Sequence, residues 1–391
     1  MKICVLTPRF PWPENGGDVL RINEIVKYLK SRNHKLILVS FCETNKPDLD
    51  SAYQYYDNIY LFRRKPWESF FYSIWFALKR KPIQCGYYYS PSFNRKLKEI
   101  INLETPDLYI SHLIRMSEYI KSNNLVEKSI LEMTDALSKT YTLSSGSKSN
   151  LLKKSIYQVE RNLILNEELL SLAVFPKVVL VSPSDINYFR NIISYKITSL
   201  ALHTNGVNCI EHYSVSSNSK RICFVGNMRT LQNQDAVIRF VESIFPKIKK
   251  TIPDAQFYIV GAEPSQRIMD LNDGENVIVT GFVENLVSVI RECCISVAPV
   301  TVAAGIQNKV LIAMGCGVPV VMSSLIAAAI PQLANKENCM ICDDDDSFAN
   351  GCIELMNNPE NREQMAHAAY EMVVKNYSWE EKLKGYECLR G

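Results

Sequence analysis

The chain alternates short apolar runs with helix-like segments along its length, and the alternation restarts near the middle. Such alternation predicts parallel sheets covered by helices on both faces. In the first half, the strand KICVLTP leads through a Pro- and Gly-rich loop into a helix from Asp18, and the strand KLILVSF follows. After the loop HTNGVN, the alternation of strand-like and helix-like segments begins again with the strand RICFVG. The sequence therefore predicts an α/β protein of two Rossmann-like domains, 1–203 and 204–377, that face each other across a cleft.

The size and charge of the chain agree with this architecture. A length of 391 residues is too great for one ordinary core and suits two domains. The composition, with 47% hydrophobic and 22% charged residues, is that of a globular protein. A net charge of only +3 argues against a dedicated nucleic-acid binder, so we expect no nucleic acid among its partners.

The cysteines and the start of the chain indicate a cytoplasmic location. The twelve cysteines are scattered, and several lie inside apolar strand-like runs, which suits a reducing compartment. The opening MKICVLTPRF enters the fold directly and does not look like a signal peptide. The longest apolar runs fall short of the about 20 residues that span a bilayer.

Two loops at predicted strand ends have the composition of anion sites. In PRFPWPENGGD, Gly16 and Gly17 remove side chains before a helix that Asp18 is expected to cap; the alternative is an ordinary turn. In VAAGIQNKVLIAMG, we expect Gly305 at the mouth of a helix and Lys309 one turn inside. Free backbone N–H groups and a Lys near a helix start suit a diphosphate.

The neutral side chains of the second loop favour a sugar ligand. Gln307 and Asn308 carry donors and acceptors of the kind that bind hydroxyl groups. The loop therefore predicts a ligand with both anionic and sugar parts.

Nine motifs then give a family resemblance. They are PRFPWPENGGDVLR, SHLIRMSEY, EMTDALS, NGV, FVGNMRTLQNQDAV, IVGAEP, VTGFV, VAPV and GIQNKVLIAMGCGVPVV. Their order resembles that of glycosyltransferase family 4, of the GT-B fold, in its bacterial branch that builds surface polysaccharides. The last motif is the most specific.

The resemblance implies a fold and a reaction. It implies a nucleotide-sugar donor held by the C-terminal domain, a saccharide acceptor on the N-terminal domain, retention at the anomeric carbon and no required metal or other cofactor. It implies a C-terminal helix, 378–391, that returns to the first domain. It also implies donor contacts for Gly16, Gly17, Gly305, Ile306, Gln307 and Asn308, with catalytic roles for His112 and Lys309. We further expect Asn227 to contact the donor and Arg229 to substitute for the arginine that the family usually carries there.

The chain departs from the family at several of these positions. The two glutamates that the family usually carries are replaced by Ala304 and Ile312, and the usual Arg and Lys after the second-domain VG are Asn227 and Gln232. A phosphate leaving group needs no protein acid, so transfer remains compatible with the loss. The alternative is a non-catalytic partner of an active transferase, and a hydrolase or epimerase on the same fold is a third possibility.

Two of the implied catalytic residues also have ordinary structural interpretations. His112 follows the strand LYIS and is either a satisfied strand-end histidine or, as the resemblance implies, a contact of the donor sugar. Arg229 is either a bidentate phosphate ligand or a solvated loop charge.

The segment RRKPWESFFYSIWFALKRKP, residues 63–82, predicts an amphipathic helix with basic ends. Trp67, Phe71 and Trp75 recur at helical spacing, which suits an anionic membrane surface. The alternative is that these aromatic rings pack into the N-terminal domain. We therefore expect a peripheral position on the inner face of the cell membrane, where a lipid-linked saccharide acceptor is available.

Two apparent metal motifs have simpler interpretations. The run DDDD at 343–346 precedes a predicted helix, where acids favour the N-terminus. Cys339 and Cys342 have the spacing of zinc ligands but lack a second pair in the sequence. We expect no metal at either place.

Overall fold

The computed structural model describes residues 1–14, 17–144, 151–193, 199–211, 213, 219–301 and 306–386. The chain divides into two compact units. The first is Met1–Asn205 with the stretch that begins at Leu383, and the second is Gly206–Lys382. The alternating apolar runs thus build two separate α/β units, each with its own core.

The first unit contains a seven-stranded parallel sheet in the order β3-β2-β1-β4-β5-β6-β7. Its strands are β1 (Lys2–Thr7), β2 (Lys35–Phe41), β3 (Asn58–Phe62), β4 (Leu108–His112), β5 (Ser129–Thr134), β6 (Lys177–Leu180) and β7 (Leu200–Leu202). Its helices are α1 (Gly17–Ser31), α2 (Leu49–Tyr53), α3 (Pro66–Leu78), α4 (Ile83–Tyr87), α5 (Pro91–Glu104), α6 (Ser117–Ser122), α7 (Leu137–Ser144), α8 (Leu151–Val174) and α9 (Pro183–Ile192).

The second unit contains a six-stranded parallel sheet in the order β10-β9-β8-β11-β12-β13. Its strands are β8 (Arg221–Val225), β9 (Gln256–Val260), β10 (Val277–Gly281), β11 (Ile295–Ala298), β12 (Val320–Met322) and β13 (Met340–Ile341). Its helices are α10 (Leu231–Arg239), α11 (Phe245–Thr251), α12 (Gln266–Met269), α13 (Leu286–Arg291), α14 (Asn308–Gly315), α15 (Ser324–Ala327), α16 (Asp345–Asn357), α17 (Pro359–Tyr377) and α18 (Trp379–Leu383), of which the last reaches the unit boundary.

Burial explains why the strands could be recognised. In β1 and β2 every residue after the leading lysine, Lys2 or Lys35, is buried. Strands of a parallel sheet that helices cover on both faces are continuous apolar runs. The carboxyl ends of neighbouring strands meet at one edge in each sheet, so loops that follow those strands lie together within each unit.

Among the described residues, no helix is both long and apolar enough to cross a lipid bilayer.

Candidate functional site

The second unit has a polar cluster where β8 ends and α14 begins. The Lys309 amine donates to the Asn233 side-chain oxygen and lies over the Phe224 ring, 4.6 Å from its centroid. The Asn233 side-chain amide donates to the Asn227 carbonyl, at 2.8 Å. The loop after β8 and the first turns of α10 and α14 are thereby joined through one buried asparagine.

Lys309 is a partly buried cation with neutral neighbours. Burial lowers the pKa of its amine to about 8. Among the described residues, no carboxylate forms an ion pair with it, and its recorded contacts are an amide oxygen and an aromatic face. A desolvated ammonium without a counter-ion is electrostatically suited to an anion.

The floor of this cluster consists of glycines at the ends of adjacent strands. A Cβ on Gly226 would lie 2.7 Å from the Asn233 amide nitrogen, and a Cβ on Gly261 would overlap the Gly226 carbonyl. Gly226 donates to the Val260 carbonyl at 3.0 Å, which keeps the two strand ends in register. The backbone here approaches too closely for any larger residue, so this floor carries no side chains.

Arg229 stands at the rim of the cluster. Its guanidinium pairs with Glu263, and both side chains are mostly exposed. Its backbone N–H donates to the Asn227 side-chain oxygen at 2.9 Å, so that oxygen stabilises the loop itself. An anionic ligand would have to compete with Glu263 for Arg229, whereas no carboxylate of the described residues pairs with Lys309.

The helix start of the second loop differs from the predicted position. The helix begins at Asn308, after Gln307, so Lys309 is its second residue and does not lie one turn inside. Ile306 and Gln307 precede the helix, and Gly305 lies outside the described residues, as does Ala304. Ile312, at a position where the family usually has a glutamate, packs against the core of the second unit.

The first unit has a second cluster at the ends of β4 and β5. His112 is only 2% exposed, and neither ring nitrogen has a hydrogen-bond partner among the described residues. Burial lowers its pKa to about 3, and Arg21 adds to the effect, although Asp18 opposes it. The imidazole is therefore neutral near pH 7, and among the described residues its two nitrogens have no hydrogen-bond partner, which favours the interpretation of His112 as a ligand contact.

Two charged residues beside His112 were not singled out by sequence reasoning. The Arg21 guanidinium donates to the Glu132 carboxylate at 2.5 Å, and both side chains are fully buried. Glu132 is the register partner of His112 on the neighbouring strand, and burial raises its pKa above the usual range. The signal was present: Arg21 interrupts the apolar stripe of α1, and Glu132 interrupts the apolar strand SILEMT.

The backbone at this edge adopts unusual conformations. Leu113 follows β4 with a φ of 64°, and Thr134 ends β5 with a φ of 71°. Positive φ at non-glycine residues is costly and is concentrated at functional sites. These two residues therefore mark the edge around His112 as a candidate site.

The glycine pair before α1 is only partly described. Gly16 lies outside the described residues. Gly17 begins α1 and is exposed, and a Cβ placed on it would meet nothing within 4 Å. The helix predicted from Asp18 begins one residue earlier, at Gly17, so Asp18 lies in its first turn, where its carboxylate pairs with Arg9.

Helix α3 carries a third candidate surface. Trp67, Phe71 and Trp75 are 65%, 54% and 46% exposed. With Phe70, Ile74 and Leu78, which are also exposed, they form one helical face, while Phe76 points into the unit. The alternative that these aromatic rings pack into the domain core is wrong.

Comparisons with known proteins show which families and proteins this chain resembles. Residues 219–358 match the family model described as Glycosyl transferases group 1. The chain is 23% identical, over 96% of each sequence, to a Klebsiella pneumoniae protein described as an uncharacterized 44.6 kDa protein in the cps region.

Solved structures agree on the fold. A sucrose-phosphate synthase from Thermosynechococcus elongatus superposes with a TM-score of 0.62 at 16% identity, over 99% of this chain and 98% of the other. Anabaena HepE, in complex with UDP and glucose, gives a TM-score of 0.62 at 15% identity over the same shares. The fold is the two-domain, Rossmann-like GT-B fold, and the family match supports a glycosyltransferase.

Proposed function

We propose that this chain is a retaining glycosyltransferase that moves a sugar from a nucleotide-sugar donor to a saccharide acceptor in bacterial surface-polysaccharide synthesis. The observation that carries the proposal is the partly buried, uncompensated Lys309 amine at the start of α14. A cation and a helix N-terminus together stabilise the charge that develops on a leaving diphosphate. The similarity to a cps-region protein supports the pathway.

In the proposed reaction, the bond between the anomeric carbon and the diphosphate oxygen breaks as the acceptor hydroxyl bonds to the same face of that carbon. The acceptor proton passes to the departing diphosphate oxygen, so no protein carboxylate is required. Lys309 offsets part of the negative charge of the diphosphate, and Arg229 contributes after its guanidinium exchanges Glu263 for a phosphate oxygen. No metal or other cofactor takes part in the proposed scheme.

The bound nucleotide of related folds gives the first probes. HepE binds UDP and glucose, so UDP and UDP-glucose head a panel with GDP-, dTDP- and CMP-sugars. A donor at 100 times its Kd stabilises the folded state by about 2.7 kcal/mol. We expect one nucleotide series to raise the unfolding temperature and to be hydrolysed slowly without acceptor.

Two variants make the experiment specific. Lys309→Met should abolish the donor-dependent shift, whereas Lys250→Met, which removes an exposed lysine of the same unit, should leave the shift intact. If no nucleotide sugar stabilises the wild-type protein, or if both variants respond alike, the proposed function is wrong.

Ile312 favours a second candidate function. Its side chain is apolar and packs where the family usually presents a carboxylate. In this second candidate, the chain binds a donor but transfers no sugar and acts as the partner subunit of an active transferase. Donor stabilisation without hydrolysis or transfer, together with activation of a co-purified transferase, would favour it.

Helix α3 supplies the proposed link to the membrane. Its exposed apolar face is flanked by Arg63, Arg64 and Lys65 at one end and by Lys79, Arg80 and Lys81 at the other. Apolar side chains with basic flanks bind the headgroup region of anionic bilayers. We propose that this face places the enzyme peripherally on the cytoplasmic side of the membrane, beside a lipid-linked acceptor.

A further inference from the structure

An apolar groove lies between α3 and α4; part of the exposed face of α3 lines it, but the rings of Trp67, Phe71 and Trp75 do not. Its volume is about 490 Å³, and its walls include Phe70, Ile74, Ala77, Leu78, Ile83 and Tyr87. Nearly all of its surface is hydrocarbon or aromatic. Such a cavity suits a hydrocarbon chain rather than a sugar.

The groove is held in shape by close packing. A Cβ on Gly86 of α4 would overlap the Tyr72 carbonyl of α3 and lie 2.9 Å from the Phe76 Cβ, so the two helices touch at a glycine. The buried Glu160 carboxylate accepts from the backbone N–H groups of Ile83 and Gln84, at 2.9 and 3.1 Å, and so stabilises the start of α4. The groove is therefore preformed in the fold.

A basic pocket borders the groove at Pro66 and Tyr87. This second cavity, about 430 Å³, shares Pro66 and Tyr87 with the groove, and Arg63, Arg64 and Ser69 also line it. The Arg64 guanidinium lies over the Tyr87 ring, 4.0 Å from its centroid, and pairs through Nη2 with Glu43. The Glu43 carboxylate and the guanidinium groups of Arg63 and Arg64 all line this pocket, so the pocket carries a net positive charge.

Two buried polar atoms in this pocket have no partner among the described residues. They are Nη1 of Arg64 and the hydroxyl oxygen of Ser69, and the Ser69 residue is only 2% exposed. Buried donors without partners are unfavourable and commonly mark the place of a ligand. A guanidinium and a hydroxyl are donors suited to phosphate.

We propose that the groove and the pocket together bind one lipid phosphate, with the hydrocarbon chain between α3 and α4 and the phosphate at Arg64 and Ser69. The proposal rests on the proposed function, for it assigns this site to the lipid carrier of the acceptor. The order of an apolar groove followed by a basic pocket matches the order of chain and headgroup in a single-chain lipid phosphate. Bilayer docking through Trp67 and Trp75 does not need the groove.

The test uses the full chain with decyl phosphate below its micelle concentration, without vesicles and without donor. Titration calorimetry should give one saturable site. Each buried methylene contributes roughly a fourfold change in affinity, so octyl phosphate, which is two methylenes shorter, should bind about fifteenfold more weakly. Decanol should also bind more weakly than decyl phosphate, and inorganic phosphate should not bind measurably.

Two variants separate the groove from the pocket. Ala77→Trp fills the groove and should weaken decyl phosphate binding at least tenfold, while Ala368→Trp, a comparably half-buried alanine on α17, should have no effect. Arg64→Gln should weaken decyl phosphate but leave decanol binding unchanged. The Arg64 variant still tests the site if the Ala77 variant does not fold.

The outcomes distinguish this proposal from the transferase proposal. Three outcomes would each overturn the lipid-phosphate site. The first is decyl phosphate binding that is undiminished in both Ala77→Trp and Arg64→Gln. The others are a protein that binds anionic vesicles but not monomeric decyl phosphate, and one that binds an amphipathic peptide but not decyl phosphate. Loss of decyl phosphate binding in these variants would support the site even if no nucleotide sugar bound to the second unit.

Discussion

At the scale of single residues, the two candidate sites use opposite charge states. Burial keeps His112 neutral by lowering its pKa to about 3, whereas Lys309 keeps its charge near pH 7 because its pKa falls only to about 8. A neutral imidazole suits an uncharged hydroxyl, and a protonated amine suits a diphosphate. Each residue can therefore be tested through its own titration.

Donor affinity should fall at alkaline pH because of Lys309. Above a pKa of about 8 the free protein has lost this proton, and binding a diphosphate requires its uptake. We expect the Kd of the stabilising nucleotide sugar to rise by up to about tenfold per pH unit above pH 8, because the uptake of one proton sets this slope. Calorimetry between pH 7 and 9.5 measures it, and Lys309→Arg should flatten the profile; a wild-type profile as flat as that of the variant would contradict the role.

Stability should decrease in mild acid because of His112. Its folded pKa of about 3 lies below the unfolded value near 6.5, so the unfolded state binds the additional proton and stability falls as pH drops from about 6.5 towards 3. At pH 5 the loss amounts to about 2 kcal/mol. His112→Gln should lose less stability than wild type between pH 7 and 5 in urea titrations; equal losses would show that His112 is not the titrating group.

At the scale of elements, α16 and α3 carry sequence features that point to different roles: an aspartate run that begins a helix, and an apolar face that is exposed to solvent. Asp344 precedes α16 and accepts from the backbone N–H groups of Asp346 and Ser347, so the aspartate run begins a helix. Helix α3 instead buries Glu68, Ser69 and Phe76 and presents its apolar face outward. An exposed apolar face of this kind indicates a binding surface.

Binding to anionic vesicles should depend on the α3 face. Replacing Trp67, Phe71 and Trp75 by Ser should weaken sedimentation with phosphatidylglycerol vesicles at least tenfold, because it removes apolar area that enters the headgroup region. Added salt should weaken the wild-type interaction, since the basic flanks are screened. The matched control replaces three exposed apolar side chains elsewhere, Leu103, Leu231 and Phe282; if both triple variants bind like wild type, α3 is not the membrane surface.

At the scale of the whole molecule, the chain crosses from one unit to the other and its last described residues return to the first. Tyr386 is fully buried, and its hydroxyl donates to the Glu132 carboxylate. The Lys177 amine donates to the Gly385 carbonyl at 2.8 Å and lies over the Tyr386 ring. Tyr386 is thereby joined to the Arg21–Glu132 pair.

Tyr386→Phe should destabilise the first unit. The substitution leaves a buried Glu132 oxygen without its donor, a change that typically costs about 1–3 kcal/mol. Trp12, Trp67 and Trp75 all belong to this unit, so tryptophan fluorescence during denaturant unfolding reports on it. Tyr213→Phe, in the second unit, serves as the control; an unchanged midpoint for Tyr386→Phe would refute the stabilising role.

The fold could be predicted because its signals are local. Strand β2 occupies Lys35–Phe41, the whole of the predicted KLILVSF, since a strand buried on both faces must be apolar throughout. Strand β7, Leu200–Leu202, was missed because it is only three residues long and partly exposed. The helix start at Asn308 was misplaced because the preceding glycine suggested an earlier beginning.

The sequence by itself determined the alternation of strands and helices and the restart near residue 204, whereas the outward direction of the aromatic face of α3 was decided by the tertiary structure. Only the tertiary structure decided the partners of the charged residues: Lys309 with Asn233, 76 positions away, Arg21 with Glu132, 111 positions away, and Tyr386 with Glu132, 254 positions away. Periodicity is a property of neighbouring side chains, so it can be read along the chain. The pairing of buried polar groups depends on which elements pack side by side, and that follows from the whole sheet rather than from any one segment.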